Sequence, residues 1–143
     1  MSQIIDALTA ILADTYALAA KTHAAHWNVR GDGFFQLHTA FGEQYEALFE
    51  AADEIAERIR ALGSPAPAGL RALAARTSVA DIVGDDGREL ARALRDDHRA
   101  LSRACLAVAR AAQERGDEGT ADLLIGRAEE HDKTAWMLDA YGA

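Results

Sequence analysis

An all-α fold, four long helices in a bundle with one long crossover between the second and third, is what this 143-residue sequence predicts. Three observations carry it. Alanine, the strongest helix former, occurs 33 times and valine only four, so few β-branched residues remain to build strands. Four stretches repeat apolar residues at intervals of three and four, as one buried helix face requires. Both prolines, Pro65 and Pro67, fall between the second and third stretches, where the break is far longer than a turn. The length suits a single core, so residues 1–143 read as one domain.

The first series is Ile4, Leu8, Ile11, Leu12, Tyr16 and Ala19, running on through Lys21, His23 and His26 to about Arg30. Gly31-Asp32-Gly33 ends it, because glycine takes the positive φ that terminates helices. The second series, Phe34, His38, Phe41, Tyr45, Leu48, Ala52, Ile55, Ile59 and Leu62, is unbroken until Gly63-Ser64-Pro65. Residues 63–86 form the long connection, with one short helix expected from about Leu70 to Ala75. Asp86 followed by Glu89 resembles a capping box opening the third long helix. Its expected face is Leu90, Leu94, Asp97, Leu101, Ala104, Val108 and Ala111. Gly116-Asp117 reads as a C-terminal glycine followed by the next N-cap, and the last face is Ala121, Leu124, Ala128, His131, Ala135 and Leu138. Short links between antiparallel neighbours, with one long crossover, make the ferritin-like arrangement.

Charge and motifs narrow the chemistry. Fifteen basic residues against 23 acidic ones leave a net −8, and such a surface repels phosphate. Cys105 is alone, so no disulfide can form within the chain, and a reducing cytoplasm is the expected location. Met1-Ser2-Gln3 lacks a basic leader, and no apolar run is expected to reach a membrane span. No dinucleotide fingerprint, Walker loop, His-Glu-x-x-His or Gly-x-Ser-x-Gly is present. Cys105 reads as core rather than nucleophile, His98 and His131 as structural or solvent-exposed, and Trp136 and Met137 as packing.

His23 and His26 share one helix face, His38 lies early in the second seam, and Asp53 and Glu57 stand one turn apart further along. Imidazole nitrogen with carboxylate oxygen suits iron, zinc or manganese. Each residue alone has a plainer explanation, since seam histidines are commonly just packed and Asp–Glu pairs commonly face water. At about 1.5 Å per residue, His38 and Asp53 are roughly 22 Å apart, whereas ligand bonds are about 2 Å. They cannot share an ion within one chain. A second, antiparallel subunit could bring its Asp53 and Glu57 to the first subunit's His26 and His38, and two-fold symmetry would make two equal sites. No Glu is followed by His three positions later, which argues against an intrasubunit di-iron centre built on Glu-x-x-His.

Lys21-Thr-His-Ala-Ala-His26-Trp27-Asn28-Val29-Arg30-Gly31, Phe34 and Leu37-His38 closely resemble the Dps-type mini-ferritins (DNA-binding proteins from starved cells). Asp53-Glu-Ile-Ala-Glu57-Arg58-Ile59 with Leu62-Gly63 is similar to them too, as are Gly116 to Leu124 and His131-Asp-Lys-Thr-Ala-Trp136-Met-Leu. The resemblance implies a dodecameric iron-storage cage that oxidises Fe(II), preferably with hydrogen peroxide, keeps the ferric mineral inside and so protects DNA. It implies ferroxidase sites at the two-fold interface, with His26 and His38 from one subunit and Asp53 and Glu57 from the other. These four would be both metal ligands and catalytic residues, with Trp27 beside them. Zinc is the substitute ion the same ligands would accept. Asp117, Glu118 and Asp122 fall where the family lines its three-fold iron-entry pores, although acids also suit any helix N-terminus.

Two positions depart from the family pattern. Gly42 stands where the family commonly carries Asp or Glu, four residues after the second histidine. The expectation is one well-held iron per site and a weaker second one; the alternatives are a cage with weakened or absent ferroxidase activity, or an inert shell holding zinc. The second departure concerns DNA. The first basic side chain is Lys21, well inside the first helix, and twelve copies would carry a formal −96. Direct DNA binding, the nucleoid-protein alternative, is therefore not expected.

Overall fold

The structure, a computed structural model, describes residues 1–142. It has five helices: α1 Ser2–Asn28, α2 Phe34–Ala61, α3 Leu70–Arg76, α4 Gly87–Glu114 and α5 Glu118–Gly142. The four long ones make the bundle. α1 pairs with α2 and α4 with α5 across short links, while residues 62–86 carry the chain back along the bundle. Short α3 lies in that crossover, packed on α1. This is the ferritin-like bundle expected from the sequence.

The helix limits follow local chemistry. Val29 leaves the helix into extended backbone, and Arg30 N–H donates to the Asp85 carbonyl at 2.9 Å, tying the α1–α2 link to the end of the crossover. Gly33, the residue before α2, has φ of 79° and lies against the Tyr141 ring, so both backbone and space demand glycine. Tyr141 in turn donates its hydroxyl to the Asp32 carbonyl at 2.9 Å. Asp86 caps α4 by accepting from Glu89 N–H at 3.1 Å. Asp14 moors the crossover, accepting from the Thr77 hydroxyl at 2.7 Å and from Ser78 N–H at 2.8 Å.

Phe41, Leu8, Leu18, Ile55, Ile59, Leu90, Leu94 and Leu124 fill the core, all fully buried. α4 departs from the expected stripe. Its inward residues continue as His98, Leu101, Ser102, Cys105, Ala109 and Ala112, while Asp97, Ala104, Val108 and Ala111 are only half-buried. Alanines on adjacent positions offer two stripes one residue apart, and polar His98 and Ser102 disguise the one that is used. Asp97 instead reaches Lys21 on α1, 2.7 Å away, in an ion pair with little solvent access. Burial raises the Asp97 carboxyl above its ordinary range, and Lys21 opposes the shift.

Three further expectations need correction. By length and composition α1 is apolar enough to cross a membrane, contrary to the sequence reading. Its apolar residues Ile4, Leu8, Ile11, Leu12 and Leu18 are spent on the bundle core. His98 and His131 are buried, which leaves the structural half of their reading and removes the solvent-exposed half. Trp136 does not pack within the chain: it is 68% exposed, and Met137 is also exposed. Ala135 and Leu138 turn inward, and Trp136 lies about 100° round the helix from Ala135. Cys105 is buried core as expected, and burial pushes its thiol up to about 11, leaving no reactive thiolate.

Candidate metal centre

α1 and α2 are antiparallel neighbours, so the last turn of α1 lies beside the start of α2, and this brings His26 to His38. The two rings stack with centroids 3.8 Å apart and planes 12° apart. Each ring bonds to the other residue's backbone. His26 Nδ1 lies 2.6 Å from the His38 carbonyl, and His38 Nδ1 lies 2.8 Å from the His26 carbonyl. A carbonyl can only accept, so both Nδ1 atoms carry the proton and both Nε2 lone pairs are left free. A hydrogen bond at one ring nitrogen that fixes tautomer and ring direction is how metal-ligating histidines are held. The bond to His26 is available because carbonyls in the last turn of α1 lack helical partners.

Aromatic rings extend the cluster on both sides. Phe34 stacks on His38 at 5.1 Å, and Tyr45 stacks on His23 at 4.0 Å. His23 also touches Trp27, with ring centroids 4.1 Å apart, while Trp27 remains 65% exposed. His23 is thus the middle of a ring stack. In the sequence Tyr45 is only a member of the apolar seam, and Phe34 a seam member that also matches the family pattern, neither with a role at the histidines. Their spacings of four before and seven after His38 were the available signal.

Gly42 belongs to this cluster through what it omits. A Cβ there would lie 3.1 Å from His26 Cε1 and 3.3 Å from His26 Nδ1. The imidazole therefore rests against the α2 backbone in the space a side chain would need.

Asp53 and Glu57 share one exposed stretch of α2 beyond Phe49. Glu57 has its pKa raised, first by the hydrogen bond that its protonated carboxyl donates to Asp53 and then by the Asp53 charge, so the two side chains lie close together. Such a pair can present both groups to one cation. The two histidines and these two acids stand at different levels of the bundle. Among the described residues, no three His, Cys, Asp or Glu side chains of one chain converge on a point suited to a metal.

Of the three acids proposed for a pore, Glu118 and Asp122 are exposed, but the Asp117 carboxylate is occupied. It accepts from Thr120 N–H at 3.1 Å, from the Thr120 hydroxyl at 2.6 Å and from Arg58 at 2.8 Å. Thr120 and Arg58 together hold its carboxyl below the usual range. Arg58 also donates to the Thr120 hydroxyl at 2.9 Å, which fastens α2 to the start of α5.

Comparison with known proteins agrees with this architecture. The ferritin-like domain family matches residues 5–142. DNA protection during starvation protein 2 of Bacillus anthracis is 35% identical over 140 residues, covering 97% of this chain and 96% of its own. The crystal structure of the Dps protein from Vibrio cholerae O1, described as a member of the ferritin-like diiron-carboxylate superfamily, superposes with a TM-score of 0.94 at 31% identity. It covers 98% of this chain and 89% of its own. Dps from Staphylococcus aureus superposes with a TM-score of 0.96 at 28% identity over 100% of this chain and 97% of its own.

Proposed function

Because the chain belongs to the Dps family of ferritin-like proteins, we propose that it oxidises Fe(II) at sites completed between two subunits and stores the product inside a closed shell. The observation that supports this best is the crossed pair of hydrogen bonds between His26 and His38, which leaves two parallel imidazoles with free Nε2 atoms. Asp53 and Glu57 of a symmetry mate complete the ligand set, because one chain separates the two halves along α2. Iron is the substrate. Hydrogen peroxide is the oxidant: it takes one electron from each of two Fe(II) ions and two protons from solvent, its O–O bond breaks, and the oxygens leave as two waters. With Gly42 in place of an acid, one iron is held by four protein side chains and the second more weakly.

The assembly is proposed as a dodecamer of one domain type, acting in the cytoplasm, and its benefit to DNA comes from removing Fe(II) and peroxide together. Glu118 and Asp122 remain candidates to draw Fe(II) in, whereas Asp117 serves the fold.

Mixing two inactive variants tests the shared site. One subunit carries His26→Ala and His38→Ala; the other carries Asp53→Asn and Glu57→Gln. Each alone is expected to lose peroxide-dependent Fe(II) oxidation. Co-assembled in equal amounts, they restore roughly a quarter of the sites, since half the pairs are mixed and each mixed pair has one intact site. Full inactivity of the mixture, with assembly intact, would sink the intersubunit reading.

A further inference from the structure

His23 belongs to the histidine cluster of α1 and α2, and the shared site leaves it without a task. It lies three residues before His26 on α1, and Gly42 lies four residues after His38 on α2. The two helices are antiparallel, so both steps lead away from the α1–α2 link, by about 4.5 Å and about 6 Å at 1.5 Å per residue. His23 therefore stands on α1 near the level where α2 lacks a side chain. Tyr45, three residues beyond Gly42, shows the match: its ring stacks on His23 with centroids 4.0 Å apart and planes 19° apart. Helical side chains lean toward the helix N-terminus, which carries the Tyr45 ring back over the turn of Gly42.

The His23 ring is positioned, yet its nitrogens are not engaged. Tyr45 and Trp27 pack against it, but among the described residues neither ring nitrogen takes part in a hydrogen bond. His26 and His38, by contrast, each commit Nδ1 to a carbonyl. A neutral imidazole keeps one lone pair, and this half-buried ring can offer it from whichever nitrogen meets a cation. The His23 centroid is 6.3 Å from that of His26, whereas His26 and His38 stack at 3.8 Å. That interval leaves room for an ion of its own. Nitrogen bonds of about 2 Å and a spacing of about 3.5–4 Å between the ions of two-metal sites together span it. The nearest acids of α2 are worse placed. Glu43 lines the clefts between α2 and α5, away from α1, and Glu46 stands a further turn beyond Gly42.

We infer that His23 ligates the second iron, the ion whose acidic anchor Gly42 removes. This rests on the shared-site reading and gives the second iron a nitrogen ligand from α1 in place of an oxygen ligand from α2. Imidazole suits iron as a ligand. Being neutral, it attracts the cation less than a carboxylate would, which keeps this iron the weaker of the two.

Anaerobic calorimetric titration of the assembled protein with Fe(II), without oxidant, tests it. The unmodified protein is expected to take up two Fe(II) per site in two steps. His23→Phe keeps an aromatic ring against Tyr45 without a nitrogen donor, and His23→Gln removes the ring. Both variants, checked for helix content and assembly, should hold the first step within about threefold and weaken the second at least about tenfold. A second step unchanged in His23→Phe, or weakened in His23→Gln alone, would make the ring a packing element and overturn the inference. So would equal weakening of both steps, or a single Fe(II) per site in the unmodified protein. In each of those cases the first step survives in the unmodified protein and the shared site stands. No Fe(II) uptake at all by the unmodified protein would remove the shared site and the inference together.

Discussion

Gly42 acts through the His26 imidazole that occupies its side-chain space. A methyl group there would meet the ring at 3.1 Å, and the ring is already held by the His38 stack and by the His38 carbonyl. Gly42→Ala is expected to slow peroxide-driven Fe(II) oxidation severalfold, because misplacing a ligand by a fraction of an ångström weakens the site. Its folded state should not suffer in proportion, since alanine favours helix by about 1 kcal/mol over glycine. Gly42→Asp meets the same contact, so adding the acid should not restore a second tight iron unless His26 moves. Stopped-flow oxidation beside urea unfolding separates the two effects. His98 and His131 make a different prediction, concerning pH. Their pKa values fall from 6.5 when folded, so the unfolded chain takes up protons first as pH drops. Stability is therefore whole above about pH 6.5 and is lost toward the folded values near 3 and 2, by at most about 1.4 kcal/mol per histidine per pH unit. A His98→Gln, His131→Gln double variant should show a flatter fall in urea midpoint between about pH 7 and pH 4.5.

Between helices, the Lys21–Asp97 ion pair joins α1 to α4 where little water reaches. Lys21→Met strands the Asp97 carboxylate, and a loss of about 3 kcal/mol is expected by denaturant unfolding near neutral pH. At the start of α5, Asp117→Ala should lower stability by about 1–2 kcal/mol through the lost cap, while Glu118→Gln with Asp122→Asn should leave stability alone and slow iron uptake. Equal effects of both changes on uptake, without any on stability, would return Asp117 to a pore role. All five helices were legible from apolar spacing and from glycine, proline and capping residues, with limits within about two residues except the end of α5, which runs to Gly142, four residues past the last apolar position read from the sequence. The α4 stripe was not, because alanine is nearly neutral between core and surface and a buried histidine looks polar in sequence. His26, His38, Asp53 and Glu57 stood out by residue type and separation. Invisible were the crossed backbone bonds and the Gly42 contact, since both depend on how two helices face each other.

For the whole molecule, charge governs what its surface can hold. A net −8 per chain predicts no mobility shift of duplex DNA at low micromolar protein in ~0.15 M salt, and a clear shift there would restore a direct DNA-binding role. The placement of the histidines and the Asp53–Glu57 pair at separate levels has a further consequence, in terms of mass action. On the proposed shared site, a chain holding half of each of two sites would have no turnover alone. Specific activity then follows the fraction of paired chains, so dilution through the dimer dissociation constant should switch oxidation off while every chain stays folded. Rate per chain would fall in direct proportion to concentration in that regime, and catalysis itself would report on association.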